Sequence, residues 1–382
     1  MALSHSPKIV TDGLVFMYDT GNRKSYPGEP TTNTAGTTGI ATSWNNSGTA
    51  AWSSDDTNVP RLFTGLTVFS MEKLTAGSSH IGIGSTSATV STEYTYSVYV
   101  WIPSSNSANM SGSSPYFRPQ PANAGVGNLT YGGSSAWGTW PRDQWVRISV
   151  TATTQATNVT SAYISCYLDT AGDKIYFTAP QFEQKGHITP FVNGTRSATQ
   201  GLLDRTKNST IDISNASFDS NAQMVFDGTD DIINTGLFAG RNPSTQPFTI
   251  EAIVKSDTTS GGRMWLDATS NGTNQRLYCA HAATGTGNPM GIQGSAWSSS
   301  GVSDTDYHHY VIVMDGSVAR LYNNGEAHST KNYTSYQLQA LNIGGRNTYI
   351  WLGDIPIFKL YDRALTADEV LKNYNATKSR FE

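Results

Sequence analysis

Asp227, Asp230 and Asp231 lie within the stretch DGTDD. Oxygen ligands this close together are what a hard cation such as Ca²⁺ takes. The competing reading is a turn at Asp227-Gly228 with two solvated carboxylates beside it. That reading is preferred and needs no cofactor; Ca²⁺ is kept as its alternative. A second chemistry is the stacking of aromatic faces on a pyranose ring while Asn, Asp or Gln reaches its hydroxyls. Trp44, Trp52, Tyr116, Phe117, Trp137 and Trp140 stand in loop-like sequence and are its candidates. Trp137 and Trp140, in GGSSAWGTWPRDQW, are flanked by Gly and Pro, whereas Trp145 opens a strand and is read as core. Against the sugar reading, half or more of these rings could serve to anchor loops or pack a subunit contact.

Other reactive residue types are present without the partners they need. A serine nucleophile requires a Gly-x-Ser-x-Gly elbow on an α/β frame, and GSTSATV and GSSAWG are only loops rich in small residues. His308 and His309 alternate across a strand, so at most one faces the core, and no carboxylates stand at ligand spacing from them. Cys166 and Cys279 are far apart, each inside a strand-like run (SAYISCYLD, QRLYCAH), and are expected as free, buried thiols. No residue is assigned a catalytic role.

The chain of 382 residues is long enough for two domains, and 37% hydrophobic residues can fill two cores. With 14% charged residues and a net charge of −4, it lacks the basic field that holds a phosphate backbone, so nucleic acid is set aside as a partner. Ser, Thr, Asn and Gly are abundant beside Tyr and Trp, a composition that suits β-sandwiches with long polar loops. The N-terminus lacks the charged-then-apolar pattern of an export signal, and no apolar run approaches the ~20 residues needed to span a bilayer. Neither export by the usual route nor membrane insertion is expected.

The elements that must position these residues read as strands. DGLVFMYDTGN places Leu14, Phe16 and Tyr18 on one face and Val15 and Met17 on the other, which reads as an internal strand. A Pro/Gly/Thr-rich turn follows. From Trp44 to about Phe191 come short alternating runs: EYTYSVYVWIP sets Tyr94, Tyr96, Val98 and Val100 against Thr95, Ser97, Tyr99 and Trp101, and QWVRISVTAT, SAYISCYLD and DKIYFTAPQFE continue the pattern. A second set begins near Leu202. AQMVFDGTDDIINTG reads as a hairpin about Asp227-Gly228, and VIVMDGSVARLYNNG as a meander with turns at Asp315-Gly316 and Asn324-Gly325. The exception to the strand pattern is LYDRALTADEVLKNYNATKSRF, where Thr366 is a helix N-cap and Glu369 completes a capping box. Leu365 and Val370 form a hydrophobic staple, and Val370, Leu371 and Tyr374 offer an apolar stripe against the second sandwich. Lys378, Arg380 and Phe381 follow as a free tail able to engage a neighbouring subunit.

The segments DGLVFMYDTGNRKSYPG, LLDRTKNSTIDISNASF, MVFDGTDDIINTG, FTIEAIVK, YHHYVIVMDGSVARLYNNGE and FKLYDRALTADEVLKNYNATKSRF resemble the laminin-G-like, concanavalin A-type sandwich of tailed-phage virion structural proteins. The closing segment is the most specific part. In that family the strand ending in a motif like GNRKSYPG is followed quickly by a piece like LLDRTKN, whereas here the two are far apart. The departure suggests a discontinuous laminin-G-like domain over 1–30 and 198–382 with an insert over 31–197, preferred over a tandem split near residue 197. The insert resembles carbohydrate-binding jelly rolls, through YTYSVYVWIP, WVRISVTATT and IYFTAPQFEQKGHITPFVNGTRS.

The resemblance implies an all-β fold of two β-sandwich (jelly-roll) domains closed by one short C-terminal helix. It also raises glycoside hydrolysis, since hydrolases of this fold align two Glu and an Asp on one strand. No such run exists here, and in FTIEAIVKSD Glu251 is followed by Ala and Val, so no enzyme is expected. The role implied is a non-enzymatic virion component, a capsid decoration or short tail appendage assembled in the host cytoplasm. Its partners would be coat or tail proteins and copies of itself, commonly as trimers, with glycans as ligands. The alternative is a soluble carbohydrate-binding adhesin outside any virion.

Overall fold

The computed structural model describes residues 8–35, 40–41, 50–53, 57–75, 79–107, 116–120, 129–157, 162–168, 170–259, 263–268, 277–280, 290–292, 295–296, 304–334 and 337–382. The chain divides into two compact units, one of Met1–Pro30, Ser197–Asp219 and Gln223–Glu382, the other of Thr31–Arg196 with Ser220–Ala222. Both are β-sandwiches, and among the described residues no helix is long and apolar enough to cross a membrane.

The first unit is built on β1 (Leu14–Asp19), β2 (Met224–Asp227), β3 (Phe248–Ser256), β4 (His308–Asp315), β5 (Val318–Asn323), β6 (Glu326–Asn332) and β7 (Leu352–Tyr361). β7 pairs with β3 along one edge and with β1 and β2 along the other, and β4, β5 and β6 continue outward from β3, all antiparallel. The N-terminal strand is thus sewn to the last one, Leu14 opposite Tyr361 and Asp19 opposite Ile357. A second sheet contains Ile233–Asn234, Asn342–Ile343, Met264–Asp267, Leu277–Ala280, Met290–Ile292 and Ser295–Ala296. Between the sheets lies the core, in which Ile250, Ala252, Ile312, Met314, Phe358 and Leu360 meet Leu266, Leu277, Cys279 and Ile343. Strand alternation sends Glu251, His309, Val311, Lys359 and Tyr361 to the opposite face of the large sheet. There α1 (Ala367–Thr377) and the residues around Val10 form a third layer, with Val10, Val311, Val313, Tyr322, Leu365 and Val370 in a separate apolar cluster.

The helix starts as its sequence dictates. The Thr366 hydroxyl accepts from Glu369 N at 3.3 Å and the Glu369 carboxylate accepts from Thr366 N at 2.9 Å, closing the capping box. Its buried face, however, is Val370, Asn373 and Thr377, while Leu371 is 44% exposed. The expected apolar stripe is therefore rotated, because the sheet beneath presents a charged side chain, Glu251, which only a polar residue can satisfy.

Three local expectations also change. β1 is not flanked by strands on both edges: Met17 N donates to the Asp204 carboxylate at 3.0 Å, and Arg205 N donates to Met17 O at 2.7 Å, so a loop seals its second edge. The stretch around Asp227-Gly228 is not a hairpin, since β2 pairs with β7 and Ile233–Asn234 pairs with Asn342–Ile343 in the other sheet. Gly228, with φ +81°, turns the chain from one sheet to the other, and Arg263 donates to its carbonyl at 2.8 Å. By contrast, Asp315-Gly316 and Asn324-Gly325 do join adjacent antiparallel strands; φ is +50° at Asn324 and +81° at Gly325, the twist a two-residue turn requires.

In the second unit the order is Ala50–Ser53, Phe69–Lys73, Lys174–Glu183, Glu93–Trp101, Trp145–Thr153 in one sheet and Ile40–Ala41, Ser79–Thr86, Ala162–Leu168, Tyr116–Gln120 in the other. Tyr94, Tyr96, Val98 and Val100 face Ile83, Phe117, Ile164 and Cys166 across the core. Thr31–Thr32 pairs with Thr195–Arg196, so the chain enters and leaves this unit side by side. Cys166 and Cys279 are both buried and free, one in each unit, and burial pushes both thiols up.

Candidate functional site

Three neighbouring strands and one helix converge on Glu251. Lys359 lies directly opposite it on β7, and His309 reaches it from β4. Glu251 Oε1 accepts from Lys359 Nζ at 2.6 Å and lies 2.9 Å from His309 Nε2, while Oε2 accepts from Asn373 Nδ2 at 2.6 Å. Asn373 Nδ2 also reaches the Tyr361 hydroxyl at 2.9 Å, its Oδ1 accepts from Val10 N at 2.7 Å, and the Tyr361 hydroxyl donates to Val10 O at 3.2 Å. Every member is buried. Burial alone would raise the Glu251 carboxyl, but the Lys359 ammonium and His309 outweigh it and bring the group down to about 2. The ionised carboxylate only accepts, so His309 Nε2 must carry the hydrogen of their bond, and Nδ1 has no partner.

Beside this cluster is a cavity of about 220 Å³ whose lining includes Tyr307, His309, Asn324, Tyr374, Lys378 and Phe381. The C-terminal turn forms part of its wall. The expectation of a free tail is corrected here: Arg380 makes two 2.7 Å bonds to the Asp19 carboxylate, Phe381 packs on Tyr307 at 5.0 Å, and Lys378 sits over the Tyr374 ring at 5.4 Å. A bidentate guanidinium–carboxylate pair is geometrically specific, so the tail is docked on its own unit.

The three aspartates do come together, with one oxygen from each lying within 4.8 Å of the others. Asp227 and Asp230 are exposed, whereas Asp231 is fully buried; its Oδ2 accepts from Asp227 N and its Oδ1 has no partner. Burial, helped by Asp227, pushes Asp231 up to about 6. A hard cation would satisfy that bare oxygen, so the donor set fits Ca²⁺.

The aromatic candidates are not gathered into one site. Trp44 lies outside the described residues. Trp52 is on a strand at the edge of the larger sheet of its unit, Tyr116 opens a strand of the other sheet, and Trp137 begins a short 3₁₀ turn. Trp140 is corrected to core: it is 3% exposed, its Nε1 donates to Ser134 O at 2.9 Å, and its ring stacks on buried Phe117. Neither ring has a face to offer a sugar. Trp145 is half-buried outside that core, edge-on to Trp101.

Sequence reasoning missed the Glu251 cluster, although a signal existed. FTIEAIV and PIFKLY each set one charged residue amid apolar neighbours in a strand, and opposite charges so placed are expected to meet.

Residues 227–371 match the family model described as "Concanavalin A-like lectin/glucanases superfamily". No curated protein matches the chain. Among solved structures it is similar to domain 4 of AbnA, an extracellular arabinanase of Geobacillus stearothermophilus solved with arabinotriose, at 13% identity and TM-score 0.36 over 47% of this chain and 93% of that one. It is similar also to the botulinum neurotoxin serotype G binding domain, at 13% identity and TM-score 0.33 over 46% of this chain and 48% of that one. A third is Trypanosoma rangeli sialidase, at 16% identity and TM-score 0.32 over 45% and 30% respectively. The chain spans about half or less of the latter two. The matched stretch, 227–371, holds Glu251, His309, Lys359 and the three aspartates.

Proposed function

We propose that this protein recognises glycans without processing them, as a surface component of a tailed-phage particle. The observation that carries the non-enzymatic half is the state of Glu251. A family named for lectins and glucanases allows either role, but hydrolysis needs carboxylates that reach a glycosidic bond. The carboxylate in the middle of β3 is 1% exposed, ion-paired and roofed by Asn373, so it reaches none. The particle half is supported by the sequence likeness of LYDRALTADEVLKNYNATKSRF to phage structural proteins. Its partners would be coat or tail proteins, with the chain assembled as a homo-oligomer, a trimer, in a capsid decoration or short appendage.

Purified protein on a glycan array is expected to retain a subset of glycans and release no sugar from them, and antibody against the chain is expected to label particles in electron micrographs. Released sugar would sink the non-enzymatic reading; unlabelled particles would leave a soluble adhesin. Asp227, Asp230 and Asp231 would hold Ca²⁺ as a structural ion. Millimolar CaCl₂ is then expected to raise the Tm of the wild type and not that of Asp231→Asn, whereas equal responses would return the stretch to a plain turn.

A further inference from the structure

We propose that the cavity beside the C-terminal turn binds one neutral sugar ring, the terminal residue of a glycan. The inference rests on the glycan-recognition reading and gives it a place. At about 220 Å³ the cavity is smaller than the roughly 300 Å³ at which sites for drug-sized ligands begin, so it admits a single ring and not a chain. Tyr307, Tyr374 and Phe381, each half-buried, bring aromatic surface to it. Phe381 is placed in advance, because the adjacent Arg380 is clamped on Asp19 and the Phe381 ring rests on Tyr307. A ring held in this way loses little freedom when a ligand stacks on it.

The polar groups suit hydroxyls. His309, its ring fixed by Glu251, lines the cavity among these groups. Asn324 uses its Oδ1 on His309 N at 2.9 Å, which leaves its amide nitrogen as a donor. Lys378 is a further donor, without an ion-pair partner among the described residues. Its charge is offset by Glu382 on the same lining, so the site favours a neutral sugar over an acidic one. A cationic ligand is disfavoured, since Lys378 and Arg380 already place positive charge 5.4 Å and 5.2 Å from the Tyr374 and Phe381 rings.

The test titrates the full chain with D-glucose, D-galactose, N-acetyl-D-glucosamine and N-acetylneuraminic acid, read by saturation-transfer NMR and by hydrogen exchange. At least one neutral sugar is expected to bind and to protect 374–381. Phe381→Ala and Lys378→Met should each weaken binding at least tenfold, while Leu371→Ala, on the solvent side of α1, should not. Array glycans retained equally by wild type and Phe381→Ala would overturn the cavity and leave glycan recognition standing. No retention of any sugar or glycan by the wild type would overturn both, and preference for N-acetylneuraminic acid would overturn the charge argument and with it the neutral-sugar assignment.

Discussion

Lys359→Met is expected to destabilise the first unit by about 3–5 kcal/mol, because it leaves the Glu251 carboxylate buried without its principal counter-charge. Methionine nearly matches the lysine stem in volume, so the loss is electrostatic and not a cavity. His309 and Asn373 still reach Glu251, but the largest charge acting on it is that of Lys359, 2.6 Å away. Urea unfolding should show a lower midpoint with an unchanged slope. In Glu251→Gln/Lys359→Met most of the loss should return, since a neutral amide in the same place keeps a hydrogen-bonding partner for Asn373 and no charge is stranded. If the double variant is as unstable as the single one, the cost lies in packing and the stranded-charge account fails.

Acid is expected to unfold the same unit through the same carboxylate. Glu251 has an ordinary value of 4.5 when unfolded and is held at about 2 when folded. A depressed carboxyl contributes stability that is fully present above the unfolded value and is lost as pH falls through the folded one. The window is therefore from about pH 4.5 down to about pH 2, and the full contribution is about 3 kcal/mol. Glu369 moves in the same direction, held at about 2 chiefly by its bonds from Arg363, and its protonation should fray the start of α1. The two are separable: Glu251→Gln/Lys359→Met should lose the larger part of the acid limb while the Glu369 part persists. A double variant with the wild-type acid profile would remove Glu251 from the account. Hydrogen exchange at 367–377 checks the link between acid and the helix, because Asn373 is bound to Glu251 at 2.6 Å and the helix should loosen with it.

Period-two alternation, Gly-containing turns and one capping box were enough to read two sandwiches and a closing helix from the linear chain, because each is a local pattern. Tyr94, Tyr96, Val98 and Val100 alternate in the sequence and enter one core together. Thr366 and Glu369 are three residues apart, and their bonds depend on little else. The errors share a cause as well. Asp227-Gly228 has the composition of a hairpin turn, yet the strands that flank it find partners more than a hundred residues away, at Leu352–Gly353 and Asn342–Ile343. Trp140, between Gly138 and Pro141, looks like an exposed loop ring until Ser134 and Phe117 are seen to enclose it.

From the chain alone came the all-β class, the paucity of helix, the absence of a basic field and the place where α1 begins. All are properties of composition or of neighbours in sequence. Only the tertiary structure decided that Asn373 faces inward while Leu371 faces water, and that Arg380 closes on Asp19. It alone assembled Glu251, His309, Lys359 and Asn373 into one buried cluster beside a cavity. The reason is that a charge in a strand has no preferred partner until register sets one opposite it, and register here is fixed by pairing between segments as distant in sequence as Leu14 and Tyr361.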